Sequence, residues 1–130
     1  MRLFITGGAG FIGSNYVRHV LANTDDHVTV FDALTYAGNL ENLADVSEDP
    51  RYRFVQGDIC DRDAVAAAMP GHDAVVHFAA ESHVDRSLLD PDVFVRTNCS
   101  GTNVLCDTAT QIGVERFVHI STDEVYGSID

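Results

Sequence analysis

The chain has 130 residues, 45% of them hydrophobic, and eight basic against 20 acidic side chains give a net charge of −12. That hydrophobic fraction suits one globular domain and lies above the range of disordered chains. The acidic balance repels phosphate backbones and so disfavours nucleic acid as a partner.

No apolar run approaches the roughly 20 residues that cross a bilayer. The start, Met1-Arg2-Leu3-Phe4-Ile5-Thr6, meets glycines too soon for a signal peptide. Three cysteines, Cys60, Cys99 and Cys106, form no C-x-x-C pair and suit reduced thiols in a cytosol. Every basic residue is arginine; the chain contains no lysine.

Leu3-Phe4-Ile5 reads as a first strand that runs into Gly7, Gly8, Gly10 and Gly13. Phe11, Ile12, Tyr16, Val17, Val20 and Leu21 then recur at helical spacing. Val28-Thr29-Val30-Phe31 is a second strand ending at Asp32, and Phe54-Val55 marks a third before Gly57-Asp58. Asp61 reads as the cap of a helix through Val65 to Met69, stopped by Pro70-Gly71. Ala74-Val75-Val76-His77-Phe78 and Arg116-Phe117-Val118-His119-Ile120 are the fourth and fifth strands. Between them, Asp90-Pro91 opens a helix of roughly 20 residues ended by Gly113. Strands alternating with helices predict an α/β fold, a doubly wound parallel sheet of order 3-2-1-4-5 covered on both faces. Complete enzymes on such a sheet usually need roughly 250 residues or more. The expectation is therefore one Rossmann-like dinucleotide-binding domain over 1–130, truncated after the fifth strand, with the rest of a longer protein absent.

Gly8-Ala9-Gly10-Phe11-Ile12-Gly13 fits G-x-G-x-x-G between a strand and a helix. Glycines there allow a tight turn and close backbone approach, and the helix N-terminus offers N–H groups to a pyrophosphate. Asp32 lies 19 positions beyond Gly13, close to the roughly 20 expected of a ribose-binding carboxylate. A carboxylate there accepts from a free 2′-hydroxyl and repels a 2′-phosphate, which favours NAD over NADP. The alternative is a glycine-rich turn with Asp32 as a turn residue. Asp58 in Gly57-Asp58-Ile59 could accept from an adenine amino group; the alternative is a turn residue before a helix cap.

Thr6-Gly7-Gly8-Ala9-Gly10-Phe11-Ile12-Gly13 resembles the extended short-chain dehydrogenase/reductase superfamily. Asp32-Ala33-Leu34-Thr35-Tyr36-Ala37-Gly38-Asn39 with Asn42-Leu43, Ala79-Ala80-Glu81-Ser82-His83-Val84-Asp85-Arg86-Ser87, and Ser121-Thr122-Asp123-Glu124-Val125-Tyr126-Gly127 are similar to segments of dTDP-glucose 4,6-dehydratases. The resemblance runs the whole length. It implies NAD at Gly7, Gly10, Phe11, Ile12 and Gly13, with Asp32, Ala33, Leu34 and Thr35 at the ribose. Asp58 and Ile59 would border adenine, and Phe78, Ala79, Ala80, Glu81, Ser82 and Thr97 would line the cofactor channel. It implies a nucleotide-sugar substrate, dTDP-glucose, contacted by Ser82 and Thr122, and a homodimeric lyase.

The same resemblance assigns Asp123 as acid and Glu124 as base. Once a sugar C4 hydroxyl is oxidised, the ketone acidifies C5–H; a base removes that proton while an acid protonates the departing C6 hydroxyl. To donate, Asp123 must hold its proton near neutral pH, which burial or the neighbouring carboxylate would favour. The superfamily's oxidation step uses Tyr-x-x-x-Lys. Four residues after Tyr126 stands Asp130, so Tyr126 is expected to pack beneath the site, with the pair expected beyond Asp130. Nucleotide-sugar epimerases and decarboxylases are rivals on the same fold, but they need no acid–base pair for losing the C6 hydroxyl. A non-catalytic NAD-binding module is the rival of another class.

Cys99 and Cys106, seven apart, are expected as small core residues on one helical face; Cys60 is incidental. No H-x-x-x-H or H-E-x-x-H pattern points to a metal. His77 and His119 are expected as satisfied buried histidines, Asp61 and Asp63 as helix-start charges, and His83, Asp85 and Arg86 either organise their loop or touch substrate, the first at least as readily as the second.

Overall fold

The computed structural model describes residues 1–34, 40–78, 92 and 96–120. Five strands, β1 (Arg2–Thr6), β2 (His27–Asp32), β3 (Tyr52–Gln56), β4 (Ala74–His77) and β5 (Arg116–His119), form one sheet of order β3-β2-β1-β4-β5. Every pairing is parallel, with Ile5 opposite Val30 and Val76. This is the doubly wound order that the sequence predicts.

Alternation along the strands sends neighbouring side chains to opposite faces. Leu3 and Ile5 join Val28, Val30, Ala74 and Val76 on one face, covered by Val17, Val20 and Leu21 of α1 (Phe11–Asn23) and by Leu43. Phe4, Phe31 and Val75 line the other, under Val65 of α2 (Arg62–Ala68), the adjacent Met69, and Val104, Leu105 and Ala109 of α3 (Thr102–Ile112). The central strands β1 and β4 are buried almost throughout, whereas the edge strands β3 and β5 are not. Val118 remains 46% exposed.

The helix ends follow the predicted chemistry. Asp61 caps α2 by accepting from the Ala64 N–H at 3.2 Å. Gly113 closes α3 at φ 82°, the left-handed cap that glycine takes without strain. The C-terminus of α1 is closed by Arg51, which donates to the carbonyls of Leu21 and Thr24 at 2.6 and 2.5 Å. The Arg51 side chain also bonds Asp49 and holds that carboxyl below its ordinary value.

The helix expected before Gly113 is helical at Asp92 and from Arg96 onward, with a π-helical turn over Arg96–Gly101 leading into α3; residues 93–95 lie outside the described residues. Two expectations are corrected. The thiols of Cys99 and Cys106 are exposed rather than in the core, and α3 buries Val104, Leu105, Thr108 and Ala109 instead. His119 is likewise exposed. A 3-10 helix over Leu40–Val46 was not anticipated. Among the described residues no helix is long and apolar enough to cross a membrane.

Candidate functional site: the glycine loop and the strand ends around it

The C-terminal ends of β1, β2, β3 and β4 lie along one edge of the sheet, where a ligand of a doubly wound fold binds. Between β1 and α1 the chain turns through Gly7, at φ 70°, a conformation that a Cβ disfavours. A Cβ on Gly13 would run into the carbonyl oxygen of Gly7. That contact is why the third glycine of the motif tolerates no side chain: the helix start and the strand end are pressed together.

No side chain caps α1. The N–H groups of Phe11, Ile12 and Gly13 are those that a helix start leaves for an outside acceptor, and the helix dipole favours a negative one. The loop's earlier N–H groups are committed within the protein: Gly7 donates to Phe31 O at 3.0 Å and Gly10 to Gly7 O at 3.2 Å. The side chains of Phe11 and Ile12 stand out at 79% and 66% exposure.

Asp32 ends β2 with only 8% exposure. One carboxylate oxygen accepts the Ala9 N–H at 3.0 Å and the other the Leu34 N–H at 2.7 Å. It therefore pins the glycine loop and starts the next turn, where Leu34 takes φ 58°. A carboxylate has about four acceptor sites, so lone pairs remain after these two bonds. Tyr52 on the neighbouring strand feels this charge: burial first, then Asp32, raise its phenol above 10.0.

The 3-10 helix closes over the loop from the other side. Asn42 donates from its carboxamide to the Ala9 carbonyl at 2.8 Å. Arg18 of α1 holds that segment by bonding the Asn42 carbonyl and by reaching both oxygens of Asp45 at 2.9 and 3.1 Å. Asn42 and Arg18 were not singled out from the sequence as site residues. Asn42 does lie in one of the stretches that carried the resemblance.

At the end of β3, Asp58 accepts the Cys60 N–H at 2.8 Å, as a turn residue does. Ile59 is 5% exposed and belongs to the core cluster with Val65 and Val104. Past β4, Phe78 is half-buried, its ring tilted on Tyr16 at 5.4 Å between centroids. Ala33 is half-buried. Thr97 lies in the π-turn, its side chain outside the described residues. Thr35, Ala79, Ala80, Glu81, Ser82, Thr122, Asp123, Glu124 and Tyr126 also lie outside the described residues, as do His83, Asp85 and Arg86.

Beneath the site, His77 ties three elements together. Its Nδ1 is 2.6 Å from the Thr6 hydroxyl on β1, and its Nε2 is 2.9 Å from the Thr102 hydroxyl on α3. It is 1% exposed and its ring stacks on His119 at 5.0 Å. Burial first, and the neighbouring His119 second, lower its pKa from 6.5 to about 4, so the ring is neutral at pH 7.

The GDP-mannose 4,6 dehydratase family model matches residues 4–130. A dTDP-glucose 4,6-dehydratase of Streptomyces griseus is 61% identical over 131 residues, which cover 98% of this chain and 40% of that protein. The structure of DesIV, a dTDP-glucose 4,6-dehydratase from Streptomyces venezuelae with NAD bound, superposes with a TM-score of 0.96 at 58% identity. That match covers 100% of this chain and 42% of the other. A UDP-Glc/GlcNAc 4-epimerase from Campylobacter jejuni superposes at 0.89 with 34% identity, over 97% of this chain and 38% of the epimerase. The chain thus spans about 40% of the length of the relatives it matches.

Proposed function

The chain belongs to the GDP-mannose 4,6 dehydratase family, and from that premise we propose that it is the NAD-binding part of a dTDP-glucose 4,6-dehydratase. The observation that carries this is the pairing of an uncapped α1 N-terminus with a buried Asp32 at the end of β2. Likeness at 61% to a dTDP-glucose 4,6-dehydratase supports the choice of substrate.

The residues present fit a dinucleotide. The N–H groups of Phe11, Ile12 and Gly13 would hold its diphosphate, and the unused lone pairs of Asp32 would take the adenosine ribose hydroxyls. Asp58 would border adenine, and Phe78 through Ser82 with Thr97 would line the remainder. Bound NAD supplies a hydride acceptor at the sugar C4 and, later, a hydride donor at C6. Glu124 removes the C5 proton, Asp123 delivers a proton to the departing C6 hydroxyl, and Thr122 with Ser82 orients the sugar. Adjacent Asp123 and Glu124 favour dehydration over epimerisation, since epimerisation eliminates no hydroxyl. The tyrosine and lysine of the oxidation step are not both available in this chain, which has no lysine, so the 130 residues alone bind cofactor without turning over sugar. A cytosolic homodimer completes the reading; three sparse cysteines, Cys60, Cys99 and Cys106, with no C-x-x-C pair suit a reducing compartment.

Titration of NAD and NADP into the chain tests the cofactor. NAD should bind more tightly by about 1–3 kcal/mol, the worth of one charged hydrogen-bonding site. Equal or tighter NADP binding would refute it. A chimera joining this chain to the C-terminal portion of the Streptomyces griseus relative should convert dTDP-glucose to its 4-keto-6-deoxy product; a properly folded chimera that epimerises instead would select the rival.

A further inference from the structure

We propose that Asn42 is a positioning residue for the phosphate loop, clasping the Ala9 carbonyl so that the α1 N-terminus is preset for a diphosphate; this rests on the dinucleotide reading above. Ala9 is fully buried and its two backbone groups are held from opposite sides. Asp32 accepts its N–H at 3.0 Å, and Asn42 donates to its C=O at 2.8 Å.

The Ala9–Gly10 peptide needs this restraint for a reason built into the motif. Turning that peptide over would carry Gly10 from φ −76° towards positive φ, a change that glycine tolerates and other residues resist. The glycine that gives the loop its close approach also leaves the peptide free to reverse. Among the described residues its N–H is held by the 3.2 Å bond to Gly7 O alone. A reversed peptide would swing the Ala9 carbonyl, a partial negative charge, away from Asn42 and disturb the start of α1, where an anion requires N–H groups.

The clasp can hold because its own support is firm. Leu43, the next residue, is 1% exposed in the core beside Val17 and Val20. Arg18 bonds the Asn42 carbonyl and both carboxylate oxygens of Asp45. The 3-10 helix is thereby fixed to the same helix whose N-terminus it adjusts, and Asn42 bears on the loop from a rigid base.

The test titrates ADP and adenosine into the parent chain, Asn42→Leu and Asn42→Ala, and follows backbone amide exchange at residues 10–14. Leucine keeps the shape and removes the donor; alanine guards against a leucine that packs badly. The expected result is a fall in ADP affinity of about three- to tenfold, the span of one net hydrogen bond, with adenosine affinity nearly unchanged. Amide exchange at the start of α1 should rise while the strands stay protected. An ADP-to-adenosine affinity ratio equal to the parent's would overturn the proposal. Should the parent itself show no preference for ADP, the dinucleotide reading fails separately, and exchange then decides: faster exchange at 10–14 upholds the clasp and unchanged exchange overturns it.

Discussion

Acidification should unfold this protein through His77 before most of its carboxylates take part. In the folded chain the ring is neutral between two threonine hydroxyls and protonates only near pH 4; its ordinary value is 6.5. Above about pH 7.5 neither state holds the proton, and the group contributes nothing to pH dependence. As pH falls through 6.5 the unfolded chain takes up a proton that the folded one refuses, so stability declines. It levels off only below the folded value of about 4. A gap of roughly 2.5 in pKa corresponds to ~3 kcal/mol over the full range, of which about 2 kcal/mol is lost by pH 5. The His119 ring stacks on it at 5.0 Å and adds to the lowering that burial causes. Urea unfolding followed by far-UV circular dichroism at pH 7.5, 6.5, 5.75 and 5 measures the effect in the parent and in His77→Gln, whose amide can still meet both hydroxyls. The parent should lose about 2 kcal/mol more than the variant between pH 7.5 and 5. Parallel curves for the two proteins would refute the reasoning, because every other titrating group is common to both.

Three further outcomes are expected. Gly13→Ala sets a methyl against the Gly7 carbonyl and should cost about 1–3 kcal/mol of stability together with NAD binding; thermal melts and NAD titration check both, and a variant that binds like the parent would contradict the close-approach argument. In the chimera, Asp123→Asn should slow loss of the C6 hydroxyl by about 10²–10⁴-fold while leaving C4 oxidation possible, and Glu124→Gln should suppress exchange of the C5 hydrogen with solvent. Rapid-quench analysis with NADH absorbance reads both, and elimination at the parent rate in both variants would remove the pair from its assigned roles. Finally, a net charge of −12 implies self-repulsion that salt screens within a Debye length of about 3 Å at 1 M. The Tm should climb by about 5 °C between low salt and 1 M sodium chloride, whereas a falling Tm would show that ion pairs such as Arg62–Asp107 outweigh the repulsion.

Strand order was readable because apolar runs such as Leu3-Phe4-Ile5 alternate with helical periods, and right-handed crossovers leave few ways to wind them. Asp61 and Gly113 were readable because capping chemistry is local. The 3-10 helix escaped notice although Leu40, Leu43 and Val46 recur every third residue, the period of that helix and not of an α-helix. Cys99 and Cys106 were misplaced because a seven-residue spacing says nothing of which face is buried; α3 turns Val104, Leu105, Thr108 and Ala109 to the sheet and leaves both thiols outside. Asp32 was found by its distance from the glycines. Its bonds to Ala9 and Leu34 were not legible, since they exist only once the loop folds back over the end of β2. Nor was His77 readable as a brace, because Thr6 and Thr102 lie 71 and 25 residues from it and meet only in the sheet.

The double engagement of Asp32 bears on any attempt to redesign this domain for a phosphorylated cofactor. The obvious exchange removes the carboxylate to admit a 2′-phosphate, treating position 32 as a selectivity filter. Here the same carboxylate is the acceptor for two backbone N–H groups, one in the loop and one at the left-handed Leu34. A smaller neutral residue would admit the phosphate but strand both donors, at a cost of about 1–3 kcal/mol for each one left buried. A successful redesign must therefore keep an acceptor for each N–H group at position 32, which asparagine with its single oxygen does not supply, and gather positive charge from a neighbouring position. Preference for the cofactor and integrity of the loop are one trait in this sequence, and they have to be altered together.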